Sequence, residues 1–266
     1  MSPVPDWQVQ SLDIDVKTPL IRYNAQRMHS HIPRLNLCLL RAKMLCPQII
    51  GSPGYDESMS PAYQSLYSTI CDKINISNHT SLLFTSHEHL EGKTIHASNF
   101  AIQAARQGIR SLLIDSNLHC PVLDFLFLGA HCMYGLTYIL EKHIEWHDAV
   151  RETGFPNLDL LPAGRMIDER IDAINSSAMS ALIHLLIEEY DLLVLDCPPL
   201  QHGTGTLFLA GIVDKMVLIT GSGNNITRIN ETVTSLPDHV QDKILGYITN
   251  SFQIPRDNTT ANDGYA

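Results

Sequence analysis

Gly92, Lys93 and Thr94 are the residues of this 266-residue chain whose order most directly suggests chemistry. They follow an apolar run, Ser81–Thr85, and open a stretch with helical spacing, Lys93–Gln107, that Gly108 ends. A phosphate-binding loop needs that strand–loop–helix setting. Gly92 would let the backbone approach a phosphate, Lys93 would neutralise β and γ oxygens, and Thr94 would offer a hydroxyl to Mg2+. The helix N-terminus would add N–H donors and the positive end of its dipole. The full pattern G-x-x-x-x-G-K-[ST] lacks its first glycine, where His87 stands, and Glu91 lies inside the loop. Two carboxylates end apolar runs: Asp115 closes Leu112–Asp115 and Asp196 closes Leu192–Asp196. Asn250 follows a third run, Ile244–Thr249. Doubly wound sheets bind their ligands at the carboxyl ends of parallel strands. Taken singly, a strand-end Asp is usually a helix cap or turn residue, and Asn250 reads equally as a turn residue.

Other chemistry-bearing residues have plainer readings. His143 and His147 stand at i, i+4, a spacing that zinc ligands use on a helix, but no third ligand stands at metal spacing. They read as surface or groove histidines. Cys120 and Cys132 follow histidines yet sit among apolar neighbours, so they read as core thiols. His87 and His89 read as loop histidines near a phosphate.

The elements that must position these groups follow from periodicity. Arg34–Cys46 carries apolar residues at helical spacing and reads as a docking helix. Residues 50–61 are turn chemistry, a linker, and Ala62–Ile74 reads as a helix. The continuous apolar runs Ser81–Thr85, Arg110–Asp115, Leu158–Pro162, Leu192–Asp196, Lys215–Thr220 and Ile244–Thr249 alternate with helical segments such as Ser176–Tyr190. That alternation predicts an α/β fold: a doubly wound, mostly parallel sheet with helices on both faces. The division expected is an N-terminal arm and docking helix over 1–60, a phosphate-loop domain over 61–252, and a flexible polar tail over 253–266. There is no internal repeat.

Composition narrows the classes. Hydrophobic residues make up 44% and charged residues 17%, enough apolar material for a core, which excludes global disorder. The net charge of −10 argues against a nucleic-acid partner. Residues 1–50 carry six basic and three acidic side chains, so they are net +3 and the remainder is −13. That segment reads either as a contact for an acidic partner or anionic membrane face, or as a solvated leader. Six cysteines without a Cys-x-x-Cys pair, and no secretory leader, suggest a reduced, cytoplasmic protein. The most apolar stretch, 123–140, is broken by Gly129, His131 and Gly135, so no transmembrane segment is expected.

Three segments together resemble the cytoplasmic domain of bacterial tyrosine kinases that control capsule and exopolysaccharide synthesis, within the MinD/ParA-type P-loop ATPases. The family loop TSA-x-PGEGKS corresponds to Thr85-Ser86-His87-Glu88-His89-Leu90-Glu91-Gly92-Lys93-Thr94. Its LLIDaDlRrP motif corresponds to Leu112-Leu113-Ile114-Asp115-Ser116-Asn117-Leu118-His119-Cys120-Pro121. Its third motif corresponds to Asp191-Leu192-Leu193-Val194-Leu195-Asp196-Cys197-Pro198-Pro199, and Leu160-Leu161-Pro162-Ala163-Gly164 also matches. The resemblance spans roughly residues 60–250. It implies the P-loop NTPase fold, ATP and Mg2+ as cofactors, and tyrosine phosphorylation in regulating polysaccharide export. The implied nucleotide contacts are Glu91, Gly92, Lys93, Thr94 and, at the adenine, Asn250. The implied metal residues are Thr94, Asp115 and Asp196, and the implied catalytic residues are Lys93, Asp115 and Asp196. The implied partner is a membrane chain-length (co-polymerase) protein acting as activator, which would recruit the chain to the inner face of the membrane. Self-association is also implied.

The departures from the family define the rival readings. Leu90 replaces a glycine and His89 a proline; if that position needs positive φ, a leucine there costs ~1–2 kcal/mol, read as about tenfold in phosphate binding. Asn117 replaces an aspartate and His119 an arginine. The family's Glu-x-x-Arg-x-x-Arg helix, linked to ring assembly, has Pro61, Gln64 and Tyr67 here, and the terminal tyrosine cluster is reduced to Tyr265, the expected acceptor. Glu88 and Glu91 would repel a triphosphate. One alternative is a catalytically impaired adaptor of the same machinery. Another is a MinD/ParA-like ATPase switch, but its signature lysine is replaced by Glu88.

Overall fold

The computed structural model describes residues 34–74, 79–166, 176–202, 204–221 and 226–250. The expectations for residues 1–33, for the tail and for Tyr265 lie outside the described residues. In chain order the elements are α1 (Arg34–Leu45), α2 (Ser60–Cys71), β1 (Thr80–Ser86), α3 (Lys93–Arg106), β2 (Ser111–Asp115), α4 (Leu123–Leu128), α5 (Leu136–Leu140), α6 (Trp146–Ala149), β3 (Arg151–Glu152), β4 (Leu158–Leu161), α7 (Ser177–Glu189), β5 (Leu192–Asp196), α8 (Thr204–Ile212), β6 (Lys215–Gly221), α9 (Ile226–Ser235), α10 (Asp238–Gln241) and β7 (Ile244–Asn250).

One seven-stranded sheet runs β3-β4-β2-β5-β1-β6-β7. Every pairing is parallel except β3 with β4, an antiparallel edge of two residues that is too short to show a sequence pattern. The doubly wound α/β expectation therefore holds. Alternate strand residues feed two cores, as a pleat with both faces covered requires. Leu83, Leu112, Ile114, Leu193 and Leu195 face α7 and α8, while Leu82, Phe84, Leu113, Val194 and Val217 face α2 and α3.

The parallel register brings the site together. Asp115 lies directly opposite Asp196, and Phe84 of β1 lies opposite Asp196 on its other side. β1 therefore delivers the Thr85–Thr94 loop beside both carboxylates. The ends of the predicted helices shift slightly: α2 starts at Ser60 and stops at Cys71, and Ser176 caps α7 by accepting from Met179 N–H at 3.3 Å. The turn-rich segment 50–61 is anchored more firmly than a linker. Ile49 and Ile50 are fully buried, Ile50 N–H donates to Asn99 Oδ1 at 2.9 Å, and Asn99 Nδ2 donates to Gln48 O at 2.8 Å. Gln64 is exposed, whereas Tyr67 packs its ring 5.8 Å from Phe100.

His143 and His147 do not share a helical face. Lys142 adopts φ +60, His143 sits before α6, and only His147 is helical, stacked 3.5 Å from Trp146. Among the described residues no group of three His, Cys, Asp or Glu is placed to hold a metal.

Candidate functional site

The loop after β1 folds around its own backbone. Ser86 Oγ donates to Glu88 O at 2.6 Å. The buried Glu91 carboxylate accepts from Glu88 N–H at 2.8 Å and from Gly221 N–H at 3.0 Å. Asn250 Nδ2 donates to Glu91 O at 3.0 Å. Gly92 takes φ +94, and a Cβ there would collide with Asn250 Nδ2, so the position favours glycine. Asn250 thus braces the loop from β7.

Leu90 takes φ +64 with its side chain half exposed. The strain anticipated for a leucine at a glycine position is present. Because the loop's own hydrogen bonds hold that conformation, the cost is borne by folding rather than by phosphate binding. Leu90→Gly is therefore expected to raise stability by about 1 kcal/mol, after the larger chain entropy of glycine is deducted. A rise of a few degrees in Tm checks this; an unchanged or lower Tm contradicts it.

The outer side of the loop is tied to α9. Arg228 Nη2 pairs with Glu88 Oε1 at 2.7 Å. His87 Nδ1 lies 2.8 Å from Thr232 Oγ1, and the Gln201 amide sits 2.6 Å from His87 Nε2. Thr232 Oγ1 also lies 2.8 Å from Arg228 O, so the His87 ring, Thr232 and the α9 backbone form one polar cluster. The acidic repulsion expected from Glu88 and Glu91 is thereby offset, by a guanidinium in one case and two backbone N–H groups in the other.

Beneath the loop, α3 opens with Lys93 and Thr94, both buried. Thr94 Oγ1 donates to Asp196 Oδ2 at 2.7 Å. Asp196 Oδ1 is buried without a hydrogen-bond partner among the described residues. Burial pushes the Asp196 carboxyl up from its ordinary pKa, while the Lys93 charge and the Thr94 hydroxyl pull it back. Burial pushes Lys93 down, and Asp196 opposes this. Arg41 of α1 adds positive charge felt at both.

Asp115 is also buried, and its oxygens accept from Asn117 N–H at 3.1 Å, Val122 N–H at 3.2 Å and Leu123 N–H at 3.1 Å. Burial and then the neighbouring Asp196 charge push its pKa well up, against those N–H groups. The cap reading of a strand-end Asp therefore holds for Asp115 alongside its place opposite Asp196. The motif after Asp196 is fixed to β1: Thr85 Oγ1 donates to Pro198 O at 2.7 Å.

Lys93, Thr94, Asp115 and Asp196 thus converge, with Glu91, Gly92 and Asn250 forming the loop wall. A buried hydroxyl–carboxylate pair with an unsatisfied oxygen, beside a buried ammonium, suits a divalent cation and a polyphosphate. Sequence reading missed Arg41, Gln201, Arg228 and Thr232. Arg41 comes from α1, Gln201 from the turn before α8, and Arg228 and Thr232 from α9, all far from the loop in sequence, so no spacing within the loop marks them.

No protein-family model matches the chain. The putative tyrosine-protein kinase CapB of Staphylococcus aureus is 28% identical over 179 residues, covering 67% of this chain and 78% of that protein. The VpsO kinase domain superposes with a TM-score of 0.65 at 27% identity, covering 74% of this chain and 96% of that one. The septum site-determining protein MinD of Pyrococcus horikoshii, solved with Mg-ADP, superposes with a TM-score of 0.52 at 21% identity, covering 65% of this chain and 70% of that one. That last likeness concerns the fold alone.

Proposed function

We propose that this chain, a relative of bacterial tyrosine kinases on a P-loop ATPase fold, is an ATP-binding tyrosine-kinase-like regulator of capsule or exopolysaccharide synthesis and export. The observation that carries the reading is the Thr94–Asp196 hydrogen bond of 2.7 Å, with Asp196 Oδ1 left over for a metal-bound water. Phosphoryl transfer is mostly positioning and electrostatics, so a small set of groups suffices. Bound Mg2+ would neutralise β and γ oxygens. Thr94 would hold that ion through its hydroxyl and Asp196 would orient its water. Lys93 would draw the γ-phosphoryl oxygens to the mouth of α3. Gly92 and Glu91 would present backbone N–H groups to the phosphates, and Asn250, packed on Gly92, would close the nucleotide side. Asp115 has about one of its roughly four acceptor lone pairs left after three backbone contacts. That lone pair would serve the metal's water shell or the acceptor hydroxyl, while the rest hold the loop rigid.

Residues 61–252 would form the kinase-like unit, with the helix before it as a docking element. Among the described residues no helix is long and apolar enough to cross a membrane. Work at a membrane would therefore go through a co-polymerase partner, with the chain at the inner face. Glu88, engaged by Arg228, stands where a MinD/ParA-like switch carries its lysine, which disfavours that reading. Asn117 spends its side chain on Cys120 N–H at 3.4 Å and an amide is no base at neutral pH, so transfer should be slow.

The test is incubation of purified protein with Mg-ATP, with and without the cytoplasmic segments of a membrane co-polymerase, and detection of phosphotyrosine by mass spectrometry. The expected outcome is phosphotyrosine, at Tyr265 first, that requires the partner and disappears in Lys93→Ala. Nucleotide binding without any phosphotyrosine would replace the kinase reading with the adaptor.

A further inference from the structure

Two thiols from distant parts of the chain meet beside this site. Cys38 lies on α1 and Cys120 in the loop after Asp115, 82 positions apart in sequence, with their Sγ atoms 2.8 Å apart. Neither forms a disulfide. α1 reaches the loop by packing on α4: Cys38, Ala42 and Val122 form an apolar cluster, with Cys120, Phe125, Leu126 and Met166 against it. The Met166 thioether sits 3.9 Å from Cys38 Sγ. Cys38 is fully buried while Cys120 is only half-buried. Cys120 is therefore the member of the pair nearer to solvent, and Cys38 the buried one.

We propose that Cys38 and Cys120 are an oxidisable pair that closes to a disulfide and locks α1 onto the loop between β2 and α4. The oxidant class is a hydroperoxide. The Cys120 sulfur attacks the peroxide O–O bond, becoming a sulfenic acid, and the departing hydroxide leaves as water with the thiol proton. The Cys38 sulfur then displaces the sulfenic oxygen, which leaves as a second water. For hydrogen peroxide, two thiols and one peroxide give one disulfide and two waters. Contact with Cys120 and burial both push the Cys38 thiol pKa up, which fits Cys38 as the resolving rather than the first-attacked sulfur.

The lock would act where it matters. Arg41 lies one helical turn after Cys38 and places its charge within electrostatic reach of Lys93 and Asp196. Cys120 N–H contacts Asn117, whose own N–H contacts Asp115. The disulfide would thus pin a cation and the Asp115 loop together. This inference does not depend on kinase activity.

The experiment treats the reduced full-length chain with hydrogen peroxide and maps disulfides by peptide mass spectrometry without reductant. The expected result is an intramolecular Cys38–Cys120 cross-link that dithiothreitol reverses and that Cys38→Ser and Cys120→Ser each abolish. Amides of α1 should exchange about tenfold more slowly in the oxidised form, and Tm should rise by about 5 °C. Sulfinic acid at Cys120 with Cys38 untouched, a cross-link through other cysteines, or one between two chains would overturn the pair. A correct cross-link with unchanged α1 exchange would overturn the lock.

Discussion

Lys93→Ala is expected to weaken Mg-ATP binding about fiftyfold while leaving the fold intact. Lys93 is buried at the start of α3, beneath a loop held by Glu91, Gly92 and Asn250. Its ammonium has been taken out of water, and burial pushes its pKa down for that reason. Such a charge gains most when polyphosphate oxygens replace the lost water. Hydrogen bonds to charged groups contribute about 1.5–3 kcal/mol, or roughly ten- to a hundredfold in affinity. There is a second route to the loss. Lys93 holds the Asp196 carboxyl down against burial, so its removal lets that carboxyl retain a proton more readily and weakens the metal contribution. Calorimetric titration of Mg-ATP into both proteins measures the effect. Equal affinities would remove the phosphate from this loop. Lys93→Arg should not rescue binding, because Lys93 is buried and a guanidinium is larger and differently shaped than an ammonium.

The sheet and the two carboxylates were legible because buried parallel strands are continuous apolar runs, and Asp115 and Asp196 interrupt two of them at the same end. The Gly92-Lys93-Thr94 triplet was legible because it sits where such a run gives way to helical spacing. What the chain hides is long-range. Glu91 looks like a repulsive charge until Gly221, 130 residues on, donates its N–H to it. Glu88 looks the same until Arg228 arrives from α9. The i, i+4 spacing of His143 and His147 suggested one helix, but Lys142 at positive φ breaks the backbone before it forms. Ile49 and Ile50 were masked by the turn residues that follow them, although both are fully buried. Leu90 is the reverse case. It stands where the resembling family has glycine, and its backbone is left-handed although the residue is a leucine.

Asp196→Asn is expected to make the protein more stable and its nucleotide binding largely independent of Mg2+. Two fully buried carboxyls face each other across β2 and β5, and burial pushes both pKa values up. A carboxyl whose folded pKa lies above its unfolded value, about 3.9, gives stability that is fully present below that value. The contribution is lost as pH rises through the raised folded pKa. The wild type should therefore lose Tm as pH rises from about 4 through the raised folded pKa values. The asparagine variant cannot titrate there, yet its amide oxygen still accepts from Thr94 Oγ1. It also removes the charge that raises Asp115, so the Asp115 share shrinks too. Its Tm should exceed the wild type's at neutral pH by a few degrees and vary less with pH. Metal inverts the sign. Mg2+ needs the carboxylate ionised, so Mg-ATP should stabilise the wild type more as pH rises, and its melting curves with and without Mg-ATP should diverge. In Asp196→Asn they should stay parallel, with equal ATP affinity in Mg2+ and in EDTA. A variant less stable at every pH would show that Asp196 holds the fold instead; one that kept its Mg2+ dependence would move the metal elsewhere. The paired outcome, a gain in stability joined to a loss of metal coupling, is the mark of a buried charge kept for binding rather than for folding.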